Sequence, residues 1–445
     1  MQNGETTPPS RAPWVWLGLL ALTHFLMMAD RNLPVLVLPV LQRRFALSDT
    51  SLGLLQGPAF VLFYVVATLA AGRVVDRLPR FVLLAVSVVL WSAASIGFGL
   101  ARGWTELVAC RLLLGLFQAL VAPTALSLIG ERAPSADVGR FVSIFTTGSA
   151  LGRSGALLVG GLVLAWSASP MARTLLPGLE TWRILFLVSA LPNVLVAFGL
   201  FLLGGRREAR PGGLRKTSIR PALSWFRAWP TAFVCHLLAA GCVIILVQAV
   251  AAWTPTLLQR ELGLSAARSG LVAGLIVVVG APLGHLGGGA LMDVCRRVGL
   301  PARLVMIVAP MFCVISAGLL CVPASLAAFG SGVFLLTVFG GMAGVAVLTA
   351  FQLMLPGAHG SANAIYFATI TLMGLGFGPP VIGLLSDRVF GPHALGLALF
   401  CTATIMAVAA TALTVGSQGA YARVIRAAEV ARRPASLDEE FVRHG

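Results

Sequence analysis

The sequence predicts an all-α polytopic membrane protein with twelve transmembrane helices in two six-helix halves. Three observations predict this class: 58% of the 445 residues are hydrophobic, only 11% are charged, and long apolar runs recur along the chain. Soluble domains carry about 25% charged residues. An apolar run of roughly 20 residues lets an α-helix cross the hydrocarbon core of a bilayer while satisfying its own backbone hydrogen bonds.

The apolar runs give the spans in order. We expect them at residues 14–40, 51–72, 81–101, 105–130, 140–166, 183–204, 230–257, 269–291, 303–322, 325–355, 362–386 and 394–416. The first run is longer than the roughly 7–15 apolar residues of a signal peptide, so we expect it to remain in the mature protein. A basic stretch separates the sixth span from the seventh. The predicted division is an N-terminal tail (1–13), a first bundle (14–204), a linker (205–228), a second bundle (229–416) and a C-terminal tail (417–445).

The basic residues between the spans predict the orientation. With both termini in the cytoplasm, only eight of the Arg and Lys residues outside the spans lie on the opposite side: Arg43, Arg44, Arg102, Arg173, Arg183, Arg260, Arg268 and Arg388. This is the distribution that the positive-inside rule describes. A bilayer therefore accounts for the net charge of +16, and no nucleic acid is expected as a partner.

A short motif recurs in the two halves. GRVVDR at 72–77 follows the second span and GALMDV at 289–294 follows the eighth, so that Gly72 and Asp76 recur as Gly289 and Asp293. Repeated halves are typical of secondary transporters. Glycine-rich stretches in the fifth and eleventh spans, at 148–161 and 374–387, would let neighbouring helices approach closely.

Together with the twelve spans and the basic central loop, GRVVDRLPR at 72–80 resembles the loop motif G-x-L-x-D-R-x-G-R of the major facilitator superfamily. Proline stands at position 79, where that family usually has glycine. The resemblance implies the major facilitator fold, alternating access and a monomer. It also implies a gating role at the cytoplasmic face for Gly72, Asp76, Arg77, Arg80, Gly289 and Asp293. A charged turn that only follows the positive-inside rule stays open as the alternative.

Longer stretches at 29–57, 110–134, 253–270 and 377–389 resemble the spinster-like branch of this superfamily. The Asp30-Arg31 pair, followed by Asn32, is shared with the neighbouring anion:cation symporters of organic acids. The resemblance implies an integral protein of the bacterial inner (plasma) membrane.

Four charged residues lie inside the predicted spans: Asp30, Arg31, Arg111 and Arg153. A charge at the bilayer centre costs at least about 2.5–3.5 kcal/mol, so each should face a cavity or a partner. The surplus of positive charge predicts an anionic substrate held by Arg31 and Arg111, since guanidinium binds carboxylate or phosphate through two hydrogen bonds. Each arginine also has a structural alternative, pairing inside the protein or reaching to the interface. The full set of predicted substrate contacts is Arg31, Arg111, Gln118, Arg153, Gln248 and Tyr366.

Gln118 bears on energy coupling. Both resembling branches typically have a glutamate seven residues after the arginine of the fourth span, where it takes up the coupling proton. An amide cannot carry that proton. The protein is then a uniporter or exchanger, or it couples through Asp30 or through His24, which lies seven residues before Arg31 on the same helical face. Protons stay open as a partner.

We therefore expect a transporter that moves a small organic anion of carboxylate type through a central cavity lined by Arg31 and Arg111. One alternative is a spinster-like transporter of lysophospholipid or another amphiphilic lipid, and a second is a transport-inactive sensor or scaffold on the same fold. An enzyme is not expected, because the sequence has no HExxH motif, nucleophile elbow, clustered carboxylate pair or P-loop. We expect no cofactor and no metal.

Overall fold

The computed structural model describes residues 12–75, 77–134, 137–204, 220–321, 325–356, 360–391 and 394–432, and within these ranges the chain is helical without a strand. The first ten helices are α1 (Ala12–Asn32), α2 (Leu38–Phe45), α3 (Asp49–Gln56), α4 (Pro58–Val75), α5 (Arg80–Leu100), α6 (Trp104–Gln118), α7 (Val121–Arg132), α8 (Val138–Ser167), α9 (Pro170–Leu175) and α10 (Thr181–Gly204). The remaining eight are α11 (Arg220–Ala228), α12 (Pro230–Glu261), α13 (Ala266–Arg297), α14 (Val305–Gly318), α15 (Leu326–Leu353), α16 (Gly360–Leu385), α17 (Leu395–Gly416) and α18 (Gln418–Arg432).

The described residues contain eleven helical segments that are long and apolar enough to cross a membrane, and the bent pair formed by α1 and α2 brings the number to twelve. Large apolar side chains lie on the outside of these helices: Leu195 and Leu286 are 73% and 74% exposed. In water such a surface would be unfavourable, whereas in a bilayer it faces lipid. The prediction of an all-α integral membrane protein with twelve spans is confirmed.

Several predicted spans are broken rather than continuous. The first, predicted at 14–40, passes through a 3-10 turn at Leu33–Leu36 and bends by 53°. Pro34 explains the break, because proline has no N–H to continue the helical ladder. The second span is interrupted at Gly57 before α4, and the fourth between α6 and α7. Proline also lies just after these two breaks, at positions 58 and 123.

The chain forms two compact units, which we call unit 1 (Met1–Leu214 and Pro255–Val278) and unit 2 (Arg215–Thr254 and Val279–Gly445). The segment Pro255–Val278 belongs to unit 1 partly through an ion pair, since Arg260 Nη1 donates to Asp49 Oδ2 at 2.9 Å. Within the predicted linker, residues 220–228 form α11, while 205–219 lie outside the described residues. Within the predicted C-terminal tail, residues 418–432 form α18.

Close packing of α1 against α8 positions the charged residues of unit 1. A Cβ at Gly148 would collide with the Ala21 carbonyl oxygen, and one at Gly152 with that of Phe25. Only glycine permits this approach, as the glycine-rich fifth span predicts. The same unit contains the fully buried indoles of Trp91 and Trp182.

Candidate functional site

Asp30 lies inside unit 1, where it is 2% exposed. Its Oδ2 accepts hydrogen bonds from Trp91 Nε1 at 3.1 Å and from Asn193 Nδ2 at 2.6 Å. These donors come from α5 and α10. Two hydrogen bonds to one carboxylate oxygen compensate much of the cost of burying the group, so Asp30 ties α1 to its neighbours.

Arg31 points to another side of α1, as expected for adjacent residues about 100° apart on a helix. Its guanidinium carbon lies 4.2 Å from the ring centroid of Phe60 and 5.3 Å from that of Tyr64. The side chain is half-buried. Among the described residues, no hydrogen bond or ion pair engages this guanidinium. Its hydrogen-bond donors are therefore available to a ligand, and the aromatic faces stabilise the cation.

Arg111, on α6, is 2% exposed, and its donors are used by the protein. Nε donates to the Leu55 carbonyl oxygen at 3.1 Å, and Nη1 donates to the Arg31 carbonyl oxygen at 3.1 Å. Nη2 donates to both the backbone oxygen and Oε1 of Gln56 at 3.2 Å. These acceptors are carbonyls at the C-terminal ends of α1 and α3, which have no intrahelical partner. Arg111 thus holds the break in the first span.

Arg153, on α8, has an exposed side chain, and among the residues that the structure describes it makes no hydrogen bond or ion pair. It is close enough to Arg31 for the two positive charges to act on each other. The charges of Arg111 and Arg31 are coupled in the same way. The charge of Arg31 therefore interacts with those of Arg111 and Arg153, and among the described residues no hydrogen-bond partner engages the donors of Arg31 or Arg153.

The coupling candidates His24 and Gln118 both have structural contacts. His24 Nδ1 lies 3.0 Å from the Phe145 carbonyl oxygen, and its ring stacks on that of Phe145 with 4.3 Å between centroids. Gln118 Nε2 donates to the Met27 carbonyl oxygen at 3.1 Å, and its Oε1 is buried without a hydrogen-bond partner. Arg111 and Gln118 thus both contact α1, in agreement with their seven-residue spacing on α6.

The two predicted substrate contacts of unit 2 differ in burial. Gln248, on α12, is half-buried and packs against Gly374 and Gly378 of α16. Tyr366 is 1% exposed and stacks on Phe351 with 4.3 Å between ring centroids, while its hydroxyl has no hydrogen-bond partner within the described part of the chain.

Most of the predicted gating residues lie at or beside helix ends. Asp76 lies outside the described residues, Gly72 is in the last turns of α4, and Arg77 is exposed. Arg80 is buried and forms an ion pair with Glu131 at the end of α7. In unit 2, Gly289 has open space around it, and Asp293 lies 3.7 Å from Arg296 in an exposed ion pair.

Sequence reasoning missed the neutral partners of the charged residues: Trp91 and Asn193 beside Asp30, and Phe60 and Tyr64 beside Arg31. Asn193 could have been found, because it is the one amide inside the apolar run 183–204. Trp91, Phe60 and Tyr64 could not have been found in this way, because aromatic residues are common in apolar runs. Within the described part of the chain, no group of three or more His, Cys, Asp or Glu side chains could hold a metal ion.

Comparisons with known proteins identify the family. The family model described as Major Facilitator Superfamily matches residues 20–379. An MFS-type efflux pump of Mycolicibacterium smegmatis is 25% identical over 410 residues, which cover 89% of this chain and 90% of that protein. A gallate transporter of Pseudomonas putida is 28% identical over 346 residues, covering 72% of this chain and 74% of that protein.

Among solved structures, a bacterial homologue of the human lysosomal transporter Spinster, in an inward-facing and unoccupied conformation, is similar in fold. Its TM-score is 0.76 at 22% sequence identity, and the match covers 96% of this chain and 100% of that one. The resemblance that the motif at 72–80 and the stretch at 29–57 predict is confirmed. The chain is an integral membrane protein that belongs to the Major Facilitator Superfamily of transporters.

Proposed function

We propose that this protein transports a small organic anion with a carboxylate group by alternating access, and that Arg31 binds the carboxylate. The observation that carries the proposal is the guanidinium of Arg31, a cation inside a membrane span whose donors no described residue uses. A cation inside a span is costly and marks a functional position by default. An anionic substrate would offset that cost.

The three arginines take different roles in this proposal. Arg31 and Arg153 supply the free donors, and their mutual repulsion is relieved when an anion lies between or beside them. Arg111 is a positioning residue, because its donors bind carbonyl oxygens and the Gln56 side chain. Gln248 and Tyr366 of unit 2 remain predicted contacts that would offer neutral hydrogen-bond donors.

The relatives support an organic anion as substrate. The Pseudomonas putida relative is named a gallate transporter, and gallate is an aromatic carboxylate. The two aromatic rings beside Arg31 would suit such a ligand, since a ring can stack while the carboxylate pairs with the guanidinium. A lysophospholipid transporter is the rival version and a transport-inactive sensor the third; both are outcomes of the experiment below.

For coupling, we propose uniport or exchange. Gln118 cannot take up a proton, the Asp30 carboxylate accepts two hydrogen bonds, and the His24 ring lies against Phe145. Asp30 is the remaining acid that could couple protons within α1. A pH gradient that drives accumulation in wild type but not in Asp30→Asn would assign coupling to Asp30 and overturn this part of the proposal.

For location, we propose the bacterial inner membrane with both termini in the cytoplasm, on the basis of the basic residues between spans. The ion pair of Arg80 with Glu131 then lies at the cytoplasmic face, where the family motif has its gating role.

The test is uptake into proteoliposomes that contain the purified protein. The assay compares gallate, benzoate and sugar acids with lysophosphatidylcholine, in wild type, Arg31→Gln and the control Arg173→Gln, which alters an exposed arginine of α9. We expect uptake of an organic acid by wild type and the control, and none by Arg31→Gln. Uptake of lysophosphatidylcholine alone, or ligand binding without uptake of any compound, would contradict the proposal in favour of the two alternatives.

A further inference from the structure

Unit 2 contains a buried guanidinium without an acidic partner. Arg303 lies in the 3-10 turn Ala302–Leu304 before α14 and is 8% exposed. Its Nη2 donates to Ser417 Oγ at 3.1 Å, and its guanidinium carbon lies 3.8 Å from the ring centroid of Tyr421. Nε and Nη1 are buried and have no hydrogen-bond partner among the residues that the structure describes. No carboxylate among the described residues forms an ion pair with it.

The corresponding position of unit 1 has the acid that unit 2 lacks. Arg80 follows Leu-Pro after the Gly72 motif, and Arg303 follows Leu-Pro-Ala after the Gly289 motif. Arg80 is 3% exposed and pairs with Glu131.

Glu131 lies three residues before Pro134, which follows the end of α7. Leu353 lies three residues before Pro356, which follows the end of α15, so it occupies the equivalent position. The cation recurs in both halves, whereas the carboxylate does not.

The described residues near Arg303 are neutral or basic. The Tyr421 hydroxyl is already used, since it donates to the Ala350 carbonyl oxygen at 3.3 Å. The His236 ring lies near enough for the Arg303 charge to act on it. Its Nε2 donates to the Val347 carbonyl oxygen at 3.0 Å, so its buried Nδ1 is an acceptor and leaves the anion to be bound by the arginine. The charge of Arg296 also acts on Tyr421. Further exposed arginines lie on the same two helices, α13 and α18: Arg297, Arg423 and Arg426.

A buried cation with unused donors carries a large desolvation cost, which a bound anion removes. Clustered basic residues on the side assigned to the cytoplasm attract the anionic headgroups of the inner leaflet. A phosphate group matches this arrangement better than a lone carboxylate, because it offers more acceptor oxygens to the free donors of Arg303 and to the exposed arginines of α13 and α18.

We propose that unit 2 binds a phosphate group at Arg303, where it takes the place that the Glu131 carboxylate holds beside Arg80 in unit 1. The headgroup of an anionic phospholipid and inorganic phosphate share this chemistry. The site is separate from Arg31 and does not depend on the identity of the transported substrate.

The experiment uses full-length protein, stripped of lipid in an uncharged detergent, and measures ligand adducts by native mass spectrometry and the melting temperature. Phosphatidylglycerol and inorganic phosphate are the two probes, and diacylglycerol, which has no phosphate, is the control lipid. We expect at least one probe to bind wild type and raise its melting temperature, with at least tenfold weaker binding to Arg303→Gln. Arg173→Gln, which alters an exposed arginine of α9 in unit 1, is the control and should respond as wild type does.

A second variant covers the case in which Arg303→Gln fails to fold. Leu353→Glu places a carboxylate where unit 1 has Glu131, at a half-buried position. We expect Leu353→Glu to melt at a higher temperature than wild type without ligand and to lose the response to phosphate. A variant that still responds as wild type does would contradict the proposal.

The two probes distinguish the sources. A response to phosphatidylglycerol alone assigns the site to a lipid headgroup, and a response to inorganic phosphate alone assigns it to the free anion. The proposal is overturned if neither probe binds wild type, if diacylglycerol binds equally well, or if folded Arg303→Gln binds with wild-type affinity.

Discussion

The interiors of the two units differ in charge. The spans of unit 1 contain Asp30, Arg31, Arg111 and Arg153, whereas the described spans of unit 2 place their Asp and Arg residues near helix ends and have only neutral polar groups such as Gln248 deeper inside. The charged residues inside the spans are therefore not repeated from unit 1 to unit 2. This difference supports the proposal that unit 1 binds the charged group of the substrate through Arg31.

A second contrast lies within unit 1. Arg31 and Arg111 both lie close to Phe60, at 4.2 and 5.4 Å from its ring centroid. Every nitrogen of the Arg111 guanidinium donates to an oxygen of the protein, whereas no described residue engages that of Arg31. Two arginines of one cluster thus have different roles, and the predictions below separate them.

The largest effect is expected for Arg111→Ala. Its loss would leave the buried carbonyl oxygens of Arg31, Leu55 and Gln56 without their donors, and each buried acceptor left unsatisfied costs about 1–3 kcal/mol of folding free energy. The melting temperature in detergent measures this. Stability equal to wild type, with substrate binding abolished, would instead make Arg111 the substrate ligand.

For Arg153→Gln we expect the opposite pattern, with unchanged melting temperature and weaker binding. Its guanidinium has no described protein partner to lose, but it would no longer add its charge to that of Arg31. A loss of about tenfold in affinity corresponds to about 1.4 kcal/mol. Isothermal titration with the transported acid measures it, with Arg173→Gln as the control. A strongly destabilised Arg153→Gln protein would show that the residue is structural.

Tyr366→Phe tests the neutral contribution of unit 2. Because the Tyr366 hydroxyl is buried without a partner, its removal should change the folding free energy by less than about 1 kcal/mol. Substrate affinity should fall a few-fold if the free hydroxyl donates to the substrate, as the sequence predicts. Tyr421→Phe, which loses a hydrogen bond to Ala350, is the control for stability. Unchanged affinity would remove Tyr366 from the substrate contacts.

The smallest effect is expected outside the spans, at Glu180. Partial burial raises the pKa of this carboxyl, but hydrogen bonds from Trp182 and Arg183 and the charge of Arg44 outweigh it, so the pKa lies below its ordinary value. A lowered pKa contributes stability that is present above the unfolded-state pKa, about 4.3, and is lost as pH falls through the folded-state value.

Glu180→Gln should therefore melt slightly below wild type at neutral pH. The difference should shrink as the pH falls below about 4, where the wild-type carboxyl also becomes protonated. Melting curves across this pH range measure it, and a difference that grows with acid would contradict the assignment.

Much of the fold could be predicted from the sequence, because apolar runs and helical spacing are local properties. The divergence of Asp30 and Arg31 and the common face of Arg111 and Gln118 follow from 3.6 residues per turn. The apolar run at 14–40 predicts one continuous span, but Pro34 within it accounts for the observed break, since proline removes a backbone donor.

The sequence does not predict which of the arginines hydrogen-bond within the protein and which have free donors. The acceptors of Arg111 include Leu55 and Gln56, which lie in another helix, and the partner Asn193 of Asp30 is 163 positions away in the chain. Such pairings depend on how helices pack. A single sequence identifies costly charges inside spans but does not tell which of them the protein already satisfies.

The central claim is that Arg31 binds the carboxylate of the substrate. The most direct measurement is isothermal titration of wild type and Arg31→Gln with the organic acid that gives the highest uptake, and of wild type with its methyl ester. We predict that losing either charge weakens binding at least about 100-fold, about 2.7 kcal/mol, with little change in melting temperature. Equal affinities for acid and ester, or for wild type and a folded Arg31→Gln, would contradict the claim.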